Sequence, residues 1–195
     1  MGGPILNTIF FHEDDHSQIE LLPKQNKKFC VAQIDSIEAN QAPSKKHSAS
    51  RTDDKTYAPV ELKSLKLSFK ELDSDLSSKL NKFDKVFTGY GKTSVECASV
   101  YAYGSEKNGI IFVECSNNGT VSSIWFSDSL LVLPNIFRKR NLIFVDWAWL
   151  FICDVEDDES YANYVNDKNE VMKNRSKVLK GKFNAQRYKP WWHFW

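Results

Sequence analysis

Two apolar runs joined by an Asn-Gly pair constrain the fold of this chain more than any other feature. The runs cover residues 109–115 and 120–126, and Asn117-Asn118-Gly119 lies between them. Both runs are rich in β-branched and aromatic residues, which favour strands. An Asn-Gly pair readily supplies the positive φ angles of a tight hairpin turn. The sequence therefore predicts a β-hairpin in the centre of the chain.

Helices and further strands are predicted on both sides of this hairpin. Ser68 and Glu71 form a capping box before a helix whose core stripe is Leu72, Leu76 and Leu80. Apolar residues at helical spacing predict a helix over 26–41, and polar, amphipathic sequence from 156 onward predicts one or two more. Strands are also predicted over 85–90, 95–103 and 141–146, the last apolar on both faces and therefore central. We expect an α+β fold, a mostly antiparallel sheet with helices packed on one side.

The length of the chain fits one domain. With 195 residues and 42% hydrophobic residues it can bury a proper core. We expect a single α+β domain over 1–195, a flexible loop at 42–58 that has few apolar side chains to bury, and an aromatic C-terminal tail at 187–195.

Charge and cysteine usage limit the classes of function. The 26 Lys and Arg nearly balance the 25 Asp and Glu, which argues against nucleic acid, since its binders usually carry a basic excess. Four widely separated cysteines without metal-ligand spacing predict free thiols in a reducing compartment. The start of the chain does not resemble a signal peptide, and the longest apolar run is too short to span a bilayer. We expect a cytoplasmic protein that does not bind membranes.

Five consecutive ionisable residues, His12-Glu13-Asp14-Asp15-His16, separate two apolar runs at 9–11 and 19–22. This pattern predicts two strands joined by a charged turn, an opening hairpin. Crowded carboxylates repel one another and are costly to desolvate, so they must face water, a cation or a basic partner. The segment is therefore a solvated turn, a site for a divalent metal, or a recognition surface for a cationic macromolecule.

Asp146 directly follows the predicted central strand and precedes Trp147 and Trp149. A carboxylate at this position can be functional, or it can cap a following helix. We favour the cap, with 147–153 as a short buried helix or a continuing strand. The two tryptophans are either core residues or interface anchors, since Trp is enriched among binding hot spots.

A second acidic cluster, Asp154 to Glu159, includes Asp157, Asp158 and Glu159. Acidic residues at the start of a helix interact favourably with its dipole. Alternatively, this cluster joins the first acidic segment in one negative face that attracts a basic protein.

Other functions have weaker support in the sequence. The basic segment 167–189 followed by the aromatic tail could form a nucleic-acid-binding module. The tail could also fold back on the domain or join two copies in a homo-oligomer. The signatures of acyl-transfer, phosphate-loop and dinucleotide enzymes are missing. We therefore assign no catalytic residue and no cofactor, and the alternative enzyme is a metal-dependent hydrolase that uses the His12–His16 cluster.

The segments 9–15, 18–20, 87–90 and 144–149 resemble a loosely defined group of small bacterial proteins. Some of these resemble immunity proteins encoded beside polymorphic toxins, including toxins delivered by type VI secretion. The resemblance implies a protein that inhibits a cognate toxin by binding it, without catalysis of its own. On this interpretation the partner-binding residues are His12, Glu13, Asp14, Asp15, His16, Trp147, Trp149, Asp157, Asp158 and Glu159.

Overall fold

A six-stranded antiparallel sheet organises the computed structural model. The structure describes residues 7–12, 18–41, 60–89, 93–105, 107–127 and 135–178. The strands are β1 Thr8–Phe11, β2 Ile19–Pro23, β3 Lys85–Thr88, β4 Val95–Glu96, β5 Val100–Ser105, β6 Gly109–Cys115, β7 Val121–Phe126, β8 Leu142–Asp146 and β9 Phe151–Asp154. The helices are α1 Lys27–Gln41, α2 Phe69–Ser77 and α3 Asp158–Val178. The large sheet has the order β5-β6-β7-β2-β8-β9, and a smaller sheet has the order β1-β3-β4.

The central hairpin is confirmed as the antiparallel pair β6–β7. Cys115 pairs with Val121, so the loop is longer than a two-residue turn. Its backbone closes where Gly119 N–H donates to the Ser116 carbonyl at 2.9 Å. Gly119 supplies the positive φ of 78°, a conformation that costs glycine no steric strain.

The predicted opening hairpin is wrong, although both of its strands exist. β1 pairs in parallel with β3 in the small sheet, whereas β2 lies between β7 and β8 in the large one. Burial explains the separation. Leu21 and Leu22 in β2 point to opposite faces and are both buried, which suits the interior of a sheet that is covered on both sides. In β1, Ile9 is buried and Phe10 is largely exposed, as expected for a strand at the margin of the fold.

The predicted strand at 141–146 is confirmed as β8, whose five residues are all buried. Neighbouring residues in a strand point to opposite faces. Phe144 therefore packs in the core that α2 and α3 cover. Ile143 packs on the other side of the sheet with Cys30 of α1.

The α+β class with a mostly antiparallel sheet is confirmed, but the helices do not lie on one side. The small sheet shares the α1 face, where Ile9 and Val86 pack with Phe112 and Trp125. A sheet that is apolar on both faces has to be covered on both, and α1, α2 and α3 divide that task.

Of the predicted capping box before α2, the half that Ser68 provides is confirmed. The Ser68 side chain accepts the Glu71 backbone N–H at 3.4 Å, and Leu72 and Leu76 are fully buried. Leu80 lies beyond the end of the helix and is partly buried against the same core. The predicted strand at 95–103 divides into β4 and β5.

The four cysteines are free of disulfides, as predicted. Burial raises the pKa of the Cys30 thiol to about 11 and that of Cys153 to about 12. Both therefore remain protonated near neutral pH. Among the described residues, no helix has the length and apolar character needed to cross a membrane. The predicted loop at 42–58 and the tail at 187–195 lie outside the described residues.

The cap of α2 can be tested by Ser68→Ala. The substitution leaves a backbone N–H in the first turn without its side-chain acceptor, so we expect a loss of about 1 kcal/mol in the free energy of unfolding. Urea denaturation measures it. The matched control is Ser74→Ala, at an exposed position inside the same helix, which should be neutral or slightly stabilising. Equal losses for the two variants would contradict the capping role.

Candidate protein-binding face

The first acidic segment begins where β1 ends. His12 is exposed immediately after Phe11. Glu13, Asp14, Asp15 and His16 lie outside the described residues, so the predicted charged turn can be placed only as the direct continuation of β1 along the chain.

The second acidic cluster is tied to basic residues of its own chain. Asp154 Oδ2 lies 3.1 Å from Lys27 Nζ and 3.3 Å from Lys24 Nζ. Burial pushes the pKa of Asp154 up, but the hydrogen bonds from the two lysines outweigh it and hold the pKa below its usual value. Asp158 forms an ion pair with Arg138. These contacts join β9 to the start of α1 and the residues just before it, and α3 to the segment that precedes β8.

Asp157 caps α3. Its Oδ1 accepts the Ser160 N–H at 3.0 Å, and its Oδ2 accepts the Ser160 hydroxyl at 2.7 Å. These hydrogen bonds from Ser160 lower the pKa of Asp157. Glu159 is exposed in the first turn of the helix. Helix capping and internal ion pairs therefore account for Asp157 and Asp158, and the cluster offers fewer unengaged charges than its sequence suggests.

Asp146 is a fully buried acceptor, not an exposed functional carboxylate. Its Oδ1 accepts the N–H groups of Ala148 and Trp149, at 2.9 and 3.0 Å. Its Oδ2 accepts the Tyr164 hydroxyl and, at 3.2 Å, Lys168 Nζ. Asp146 does accept backbone N–H groups as a cap would, as predicted, but these groups belong to a turn and not to a helix. Residues 147–150 form the turn, and the chain then returns as β9, so the expected helix or continuing strand is wrong.

Both tryptophans are half-buried and serve the fold. Trp147 packs against the α1 side of the sheet and donates its Nε1–H to Glu20 Oε1 at 2.8 Å. Trp149 packs against the opposite core, and Lys168 Nζ lies 5.7 Å from the centroid of its ring. The two side chains point to opposite faces and do not form a common anchor.

The sequence analysis missed a partly exposed aromatic pair, Phe10 and Phe87, on the outer face of the small sheet. The parallel register places Phe10 beside Phe87, and the rings stack with centroids 5.2 Å apart. Phe10 is 60% exposed, whereas Phe11 points inward, with its ring centroid 5.4 Å from that of Trp125. Two adjacent phenylalanines in a strand must face opposite ways. That pattern could have indicated an outward aromatic side chain.

A groove between β3, β4 and β5 also collects polar side chains, including Lys82, Lys85, Glu96 and Tyr101. Lys85 pairs with Glu96 at 2.7 Å, and Lys82 pairs with Asp73 at 2.7 Å. Within the described residues, no group of three His, Cys, Asp or Glu side chains is arranged to hold a metal. Lys82 and Lys85 of this groove are thus both ion-paired, so the partly exposed aromatic pair is the better candidate for recognition.

The buried contact between Asp146 and Lys168 predicts strong energetic coupling. Asp146→Ala removes an acceptor of four hydrogen bonds and leaves a buried cation, so we expect a loss of about 3–5 kcal/mol. Lys168→Met should also destabilise, because it leaves the buried carboxylate without its cation. The double variant should lose less than the sum of the two single losses, as urea unfolding in a double-mutant cycle would show. If the loss in the double variant equals the sum of the two single losses, the proposed ion pair is contradicted.

The lysine contacts of Asp154 predict a pH-dependent contribution to stability. The pKa of Asp154 in the folded protein lies below its unfolded value of about 3.9. Its contribution is therefore present above that pH and is lost as the pH falls through the folded pKa. Asp154→Asn should cost up to about 1 kcal/mol at neutral pH, since its partners are partly exposed. Urea denaturation at several pH values measures the free energy of unfolding. The difference in this free energy between Asp154→Asn and the original protein should narrow towards pH 3, and a constant difference would refute this role.

Comparisons with known proteins identify no relative of this chain. The chain matches no protein-family model, and searches of curated proteins and of solved structures find no significant match. We therefore infer function from the contacts, exposure and charge of this chain's own residues.

Proposed function

We propose that this protein is a cytoplasmic immunity protein that binds and neutralises a basic bacterial toxin without catalysis of its own. One observation carries the proposal. β1 presents an exposed aromatic side chain, Phe10, and continues directly into the acidic sequence His12-Glu13-Asp14-Asp15. An apolar anchor and a charged segment thus adjoin each other along the chain.

The aromatic pair supports a protein partner. Phe10 keeps more than half of its surface in water while Phe87 supports its ring from one side. Large aromatic side chains contribute much of the binding energy when a partner buries them, and they are enriched in interface cores. The supporting ring holds Phe10 in place, so little conformational freedom is lost on association.

The charge of the adjoining segment supports a basic partner. Three consecutive carboxylates follow His12, and a negative surface accelerates association with a positive one and disfavours other partners. Toxins that act on nucleic acid or nucleotides need basic clefts, which such a segment could occupy. Because Asp154, Asp157 and Asp158 are engaged within the fold, the proposal assigns the main charged contacts to Glu13, Asp14 and Asp15.

Charge reversal tests the proposal. Asp14→Lys combined with Asp15→Lys should slow association with the toxin about 10-fold or more at low salt, because electrostatic steering is reversed. The partner for this assay is the terminal domain of a secreted toxin encoded immediately upstream of this chain, and stopped-flow fluorescence measures the rate. The melting temperature should stay nearly unchanged.

The matched control reverses two exposed acidic residues on α1, Asp35→Lys with Glu38→Lys. It changes the net charge by the same amount but leaves the acidic segment intact, so association should slow far less. Equal rates for the two double variants would remove residues 13–15 from the interface. A toxin domain that does not bind the original protein would refute the proposed function itself.

A further inference from the structure

We infer that β1 is a docking edge, to which an extended segment of the toxin adds as a further strand of the small sheet. The inference rests on the proposed function and specifies how the partner is recognised. Strand addition is a common mode of peptide recognition, in which backbone hydrogen bonds give affinity and alternate side chains give specificity.

β1 has a partner on one side. It pairs with β3, which pairs in turn with β4, so β1 is at the margin of the sheet. Within the part of the chain that the structure describes, no strand pairs with its other side. A strand in this position presents backbone N–H and C=O groups that a second chain can use.

The sequence of β1 lacks the usual protection of an edge strand. Proteins normally guard such edges with charged side chains, proline or bulges. The residues Thr8-Ile9-Phe10-Phe11 include none of these. A solvent-exposed apolar edge is an aggregation hazard unless a partner covers it.

The two edges of the large sheet, at β5 and β9, are better protected than β1. Residues 81–83 add to the outer side of β5, where Phe83 N–H donates to the Ala102 carbonyl at 3.0 Å and Gly104 N–H to the Asn81 carbonyl at 2.8 Å. On β9, Asp154 is held by Lys27 of α1. The contrast with these guarded edges makes β1 the better candidate for a strand that binds a partner.

β1 is also held rigidly from within. Ile9 is buried, and Phe11 packs against both Phe112 and Trp125, with ring centroids 5.3 and 5.4 Å away. The backbones of Asn7 and Asp84 are joined where Asp84 N–H donates to the Asn7 carbonyl at 2.7 Å. A strand that is already ordered loses little entropy when another strand pairs with it.

Charge complementarity identifies the kind of segment that fits. β1 itself is neutral and apolar, while the residues that follow it are acidic. The segment that pairs with β1 should therefore be extended and apolar, with Lys or Arg flanking it. A second copy of this chain would bring another neutral strand and no basic flank, so we favour the toxin as the occupant.

Hydrogen exchange with mass spectrometry tests the docking edge on the full chain, alone and bound to the toxin's terminal domain. We expect backbone amides within 7–12 to exchange about 10-fold more slowly in the complex, because new interstrand hydrogen bonds protect them. The exposed side of α1 should not change. If the toxin binds and exchange at β1 stays the same, the docking edge is wrong and the proposed function stands.

The other outcomes also decide the question. If the toxin domain does not bind, both the proposed function and the docking edge fall. If β1 becomes protected at high protein concentration without toxin, together with a dimer in light scattering, the occupant is a second copy and the inference is overturned.

A pair of substitutions gives an independent measurement. Phe10→Lys places a positive charge at the edge, where it should repel a basic segment and weaken binding about 10-fold or more. The control is Met172→Lys, at a hydrophobic residue of α3 that is 50% exposed, and its affinity should be unchanged. Circular dichroism confirms that both variants fold. Unchanged affinity for Phe10→Lys would overturn the docking edge.

Discussion

The burial of both faces of the large sheet is the constraint on which the rest of this structure depends. β8 makes it clearest, because Ile143 and Phe144 are adjacent in the strand and both are fully buried. One face is covered by α2 and α3 and the other by α1 and the small sheet. The small sheet thus owes its position to the apolar surface of Phe112 and Trp125. In that position Phe10, on the outer face of the small sheet, is 60% exposed, and β1 pairs with a single strand among the described residues.

Local patterns in the sequence predicted the helices and strands well, but they did not predict which strands pair with each other. The Asn-Gly signal at 118–119 and the Ser68 cap act within a few residues of the chain, so they could be interpreted directly. The pairing of β1 with β3 could not, since Asn7 and Asp84 are 77 residues apart in sequence. Alternation within a strand indicates which side is buried, but it does not identify the neighbouring strand.

The candidate site was predictable only in part, for the same reason. The charge of residues 12–16 is visible in the sequence, whereas the engagement of Asp154 and Asp158 depends on lysines and arginines that are distant along the chain. Asp146 also shows this limit. Its capping role is local, but its contacts with Tyr164 and Lys168 depend on where α3 packs. The exposure of Phe10 became evident only once β1 was placed on β3.

The alternation of side chains in β1 and β3 separates two structural roles. Ile9 and Val86 face inward and keep the small sheet attached to the body of the protein, while Phe10 and Phe87 face outward. Substitutions at Phe10 and Phe87 therefore change the outward surface of the small sheet, while the inward apolar contacts that attach the sheet stay in place. Such a division lets the outer face vary with little penalty to folding.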